Sequence, residues 1–64
     1  MNQAVVLAVD DVVRGVSTMD GALVVLTLRA GLRDFDIALT SSKAAELVTV
    51  LIRANDQAAI NRMP

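Results

Sequence analysis

The chain has 64 residues, 55% of them apolar, and seven acidic against six basic side chains leave a net charge of −1 with neither cysteine nor histidine. That composition excludes disulfides, thiolate chemistry and the usual zinc ligands. It also offers no basic stripe for a phosphate backbone, because Arg14, Arg29, Arg33, Lys43, Arg53 and Arg62 are scattered among the acids, and Phe35, the sole aromatic, is too little for base stacking or an aromatic-walled pocket.

A chain this short forms one domain, residues 1–64, and buries only about 60% of the surface that its unfolded form exposes. Domains of this size recruit disulfides, a metal or a second chain, since a lone core rarely supplies more than about 3–5 kcal/mol. With the first two disfavoured by composition, self-association is the expected route. The start, Met1-Asn2-Gln3, lacks a positive n-region, and the apolar run from Ala4 to Val9 ends at Asp10 and Asp11, too soon for a signal-peptide core. No stretch approaches the roughly 20 apolar residues that span a bilayer. The expectation is a cytoplasmic protein with no membrane and no nucleic-acid partner.

In chain order, Val5, Val6, Leu7 and Val9 form an apolar segment that needs burial and is a candidate additional strand. Asp20-Gly21 then marks a tight turn between the arms Val12 to Thr18 and Ala22 to Arg29, because Gly accepts a positive φ and Asp tolerates it. A two-residue turn there puts Val13, Gly15 and Ser17 on the inner face. A one-residue slip puts Val12, Arg14 and Val16 there instead. The first is preferred, since it keeps Arg14 outside and lets Gly15 admit a helix.

A second turn falls at Ala30-Gly31-Leu32-Arg33, and Asp34 to Leu39 alternates acidic and apolar residues. The implied register sets Leu28 opposite Phe35, Leu26 opposite Ile37 and Val24 opposite Leu39 on one face. Arg29/Asp34, Thr27/Asp36 and Val25/Ala38 share the other. After Leu39 the period changes: Thr40-Ser41-Ser42 offers hydroxyl caps, and Ala44, Leu47, Val48, Leu51 and Ala58 recur at helical spacing. The predicted fold is therefore α+β, an antiparallel meander of three strands, or four with the N-terminal segment, followed by one C-terminal amphipathic helix from about Ser41 to Ile60 that covers the inner sheet face.

No catalytic, cofactor or metal residues are expected. Asp10, Asp11, Asp34 and Asp36 do not have the spacing of an EF-hand loop and read as solvated strand positions facing Arg29 and Arg14. Ser17, Ser41 and Ser42 lack a His or Lys base. Gly15, Gly21 and Gly31 are too dispersed for a phosphate loop, and Met19 reads as turn filler or a partner anchor. The surplus lies in apolar surface. Val16, Leu23, Val25 and Ala38 form a patch on the sheet face away from the helix, and the outer helix face around Val50 and Arg53 is added to it as contact surface. These six are the expected contact residues of a homodimer, against the alternative of a monomer whose N-terminal strand folds across the patch.

The order Val16-Ser17-Thr18-Met19-Asp20, a Leu/Val-rich strand, then Ile37-Ala38-Leu39-Thr40-Ser41 leading into Ala44, Leu47, Val48 and Leu51 resembles the BssS family of small biofilm-formation regulators, some of them carried by phages and prophages. The resemblance covers about Val16 to Ala54 and implies a small regulatory or accessory protein. Where that family carries aromatic residues this chain has Val13, Arg14 and Ala38, and no site residue carries over. The expected function is that of a non-enzymatic, homodimeric adaptor or regulator contacting a host or cellular protein. The alternatives are a phage-encoded inhibitor of a host enzyme or defence complex, and a ligand-sequestering protein with its pocket between subunits.

Overall fold

The computed structural model describes residues 5–64. Three strands, β1 (Asp11–Ser17), β2 (Leu23–Ala30) and β3 (Arg33–Thr40), form one antiparallel sheet in the order β1-β2-β3, and helix α1 (Ser41–Asn61) follows directly. The α+β meander with a C-terminal helix is the fold expected from the patterning. Residues 5–10 add no fourth strand.

The β2–β3 register is the one that alternation dictates: Leu28 faces Phe35, Leu26 faces Ile37 and Val24 faces Leu39, with Arg29/Asp34, Thr27/Asp36 and Val25/Ala38 on the other side. Their connection is tighter than four residues. Ala30 still pairs with Arg33, leaving Gly31 and Leu32 as the turn, and Gly31 supplies the positive φ of 64° that a two-residue hairpin of the II′ kind requires at its first central position.

In the first hairpin Ser17 pairs with Val24, Val16 with Val25 and Gly15 with Leu26, the preferred register. The turn is wider than Asp20-Gly21. The Gly21 amide donates to the Thr18 carbonyl at 2.9 Å, and Asp20 Oδ1 accepts from the Thr18 hydroxyl at 2.7 Å and the Ala22 amide at 3.0 Å. At the far end of β1 the register shifts between Val12 and Arg14, so that Val12 and not Val13 stands opposite Leu28. This bulge inserts one extra residue and reverses the facing of the residues before it. Arg14 stays outside while Val12 joins the inner face, which neither uniform register achieves.

Thr40 is the N-cap of α1: its backbone is extended and its hydroxyl accepts the Lys43 amide at 3.3 Å. At the other end the Arg62 amide donates to the Ala58 carbonyl at 3.1 Å and the Met63 amide to the Ile60 carbonyl at 3.1 Å.

Helix and sheet meet only in part. Ala44 and Leu47 are half-buried, whereas Val48 and Leu51, farther along the same stripe, are 55% and 57% exposed. The expectation that α1 covers the inner face is thus corrected to partial cover. Only three large apolar side chains, Leu47, Val48 and Leu51, oppose three strands, and the residues that extend the stripe, Ala54 and Ala58, are too small to fill the remaining space. Among the described residues no apolar side chain is buried, and the one buried polar side chain is Thr27, at 6% exposure.

The dimensions agree. The radius of gyration is 14.3 Å, against about 11 Å for a compact domain of this length. The accessible surface is 5727 Å², against about 4,000 Å² for a compact monomer of this mass.

Candidate functional site

An apolar cleft of about 540 Å³ lies between the inner sheet face and the helix. Val12, Leu26, Leu28, Ile37 and Leu39 form its sheet wall, and Ala44, Leu47, Val48 and Leu51 its helix wall. Strand alternation places every second residue of β2 and β3 there, the bulge adds Val12, and the 3.6-residue period brings the four helix residues onto one side. No charged residue lines the cleft.

The N-terminal segment closes one end of this space. The Asp10 amide donates to the Arg29 carbonyl at 2.8 Å, and Asp10 Oδ2 accepts the Gly31 amide at 2.7 Å. This anchor turns the chain onto the inner face, where Val9 lines the cleft and Leu7 and Val9 lie beside Leu28, Ala30 and Phe35. Val5 and Val6 remain 85% and 88% exposed. The segment therefore does not shield the outer sheet face, as the monomer alternative requires.

The six expected contact residues separate into two groups. Val16, Val25 and Ala38 are neighbours across the three strands, with Leu23 on the same face. Val50 and Arg53 line a shallow groove with Ala45, Glu46 and Thr49 on the side of the helix turned from the sheet. Sheet and helix stand between the two groups, so they form two surfaces and not one. The cleft has no signature in the sequence pattern, which expects the helix to cover the inner face. The scarcity of large side chains on the helix stripe was the available signal.

The outer sheet face is internally satisfied along its polar half. Thr27 Oγ1 donates to Asp36 Oδ1 at 2.6 Å, and Arg29 pairs with Asp34 at 2.8 Å. The Arg29 hydrogen bond holds the Asp34 carboxyl below the ordinary carboxylate value. Asp20 is also lowered, first by the Ala22 amide and then by the Thr18 hydroxyl. Asp10, Asp34, Asp36 and Asp20 are thus engaged separately, by Gly31, Arg29, Thr27 and the first turn. Among the described residues no three His, Cys, Asp or Glu side chains gather where they could hold a metal ion, and no helix is long and apolar enough to cross a membrane. What this arrangement can do chemically is bury apolar surface of another molecule. No protein-family model, curated protein or solved structure matches the chain.

Proposed function

We propose that this chain is a non-enzymatic cytoplasmic adaptor or regulator that works as a homodimer through protein–protein contacts and engages a host or cellular protein. The observation that carries the reading is the missing core: no described apolar side chain is buried, and the accessible surface exceeds that of a compact monomer by roughly 1,700 Å². At about 25 cal/mol per Å² of apolar surface, leaving such an area wet forgoes much of the driving force for folding. A second polypeptide supplies it. The resemblance to the BssS family supports a regulatory role over a structural one. Light scattering on a size-exclusion column tests the dimer: the reading expects twice the 6.8 kDa chain mass at micromolar concentration, and a mass of one chain would remove it.

A further inference from the structure

The dimer leaves open which surface pairs, and here the helix is informative. Its sheet-facing stripe does not end where the sheet does. The cleft takes Ala44, Leu47, Val48 and Leu51, and a second groove continues from Leu51 through Ala54, Asn55 and Ala58. The spacing is that of one helix face, 3 or 4 residues at a time. Lys43, Glu46, Arg53 and Asp56 all fall off it, so the stripe carries no charge from Leu51 to Ala58, and the next residue in line, Arg62, is the C-cap. At about 1.5 Å per residue, the ten residues from Ile52 to Asn61 carry it about 15 Å past the cleft, in a molecule 47 Å along its longest axis.

One chain therefore presents an apolar cleft short of filling and an apolar helix stripe short of a cover. We infer that a second copy of this chain supplies both: the two α1 helices cross about a two-fold axis near Ala54, and the end of each covers the open cleft of the other. Ala54 and Ala58 let the helix backbones approach closely, and Leu51 of each copy packs beside Ala58 of the other. In a two-fold contact each residue meets its counterpart in reverse, so one stripe serves both sides. The area fits. Obligate homodimers bury about 1,000–2,500 Å² per partner, and the chain as a whole carries roughly 1,700 Å² more accessible surface than a compact monomer of its mass, enough to supply a contact of that class. The outer sheet face is the weaker candidate, because its polar half already pairs Thr27 with Asp36 and Arg29 with Asp34.

The inference rests on the dimeric reading, and the experiment separates the two. Ala54→Glu puts a charge on an exposed helix position that tolerates it in the isolated chain, and Val16→Lys does the same on the outer sheet face. The expected result is loss of the dimer species by light scattering for Ala54→Glu, with a thermal midpoint below that of the parent chain, and an unchanged dimer for Val16→Lys. The converse pattern overturns the inference and leaves the dimer standing, and a monomeric parent protein overturns both. Should Ala54→Glu fail to fold, Ala54→Cys decides. The chain has no other cysteine, so oxidation is expected to yield a covalent dimer at position 54 and none for Val16→Cys. Equal cross-linking at both positions, or cross-linking at 16 alone, contradicts the placement.

Discussion

Thr27 donates its hydroxyl to Asp36 at 2.6 Å across β2 and β3, and this polar pair sits at the one buried side chain among the described residues. The most enclosed side chain among the described residues is thus on the outer sheet face, opposite the side where a helix-capped sheet ordinarily keeps its core. The apolar inner face lies open beside it, which is the asymmetry that the proposed dimer accounts for. Thr27→Val keeps the shape and removes the donor. The Asp36 carboxylate stays hydrated, so the expected cost is about 1 kcal/mol or less in urea unfolding. A loss above about 3 kcal/mol would mean that the hydroxyl holds more than this one bond.

The two hairpins respond differently to glycine replacement. Gly31 sits at a φ of 64°, and an alanine there pays about 1–2 kcal/mol for the left-handed backbone. At Gly15, φ is not positive and a Cβ would meet only Leu26 Cδ1, at 3.9 Å. Gly15→Ala is therefore expected to stabilise by about 0.5–1 kcal/mol. The idea that Gly15 admits the chain's own helix is set aside by that spacing. Denaturant midpoints of the two variants should move in opposite directions.

Stability should fall in acid for a specific reason. Asp34 and Asp20 have folded values below the ordinary one, through the Arg29 pair and the first-turn hydrogen bonds respectively. A lowered folded value contributes stability above the unfolded value, near pH 4, and that contribution is lost as pH falls through the folded value. Both groups are exposed, and the pair is open to salt screening. Unfolding followed between about pH 5 and pH 2 should show a falling limb below pH 4 that Asp34→Asn makes shallower. An unchanged limb would assign it to other carboxylates.

The anchor between Asp10 and the Gly31 amide makes a further prediction. Asp10→Ala removes a charged acceptor and frees the segment that carries Val9 to the cleft, at an expected cost of about 1–2 kcal/mol. Hydrogen exchange at Gly31 should accelerate in the variant. Unaltered exchange would show that the contact does not persist in solution.

Much of this fold was legible in the sequence because two periodicities were clean. The alternation from Asp34 to Leu39 set the β2–β3 register, and the switch at Thr40 set the helix start. The bulge at Val12 was not legible, since period-two reasoning admits only one register per strand and here the chain uses both, Gly15 inward by one and Val12 inward by the other. The extent of helix cover was equally hidden. Periodicity says which side of α1 is apolar, but whether Leu47, Val48 and Leu51 suffice to fill the space over three strands is a question of volume. For the same reason Val16, Leu23, Val25 and Ala38 stood out as the unshielded patch while the larger opening lay on the other face.

The most direct measurement is the thermal midpoint as a function of protein concentration. If the core is completed only between chains, unfolding is coupled to dissociation, and raising the concentration from about 2 to about 200 µM should lift the midpoint by about 10 °C. A midpoint that stays fixed over that range, with one cooperative transition, would show a single chain folding on its own and would contradict the account.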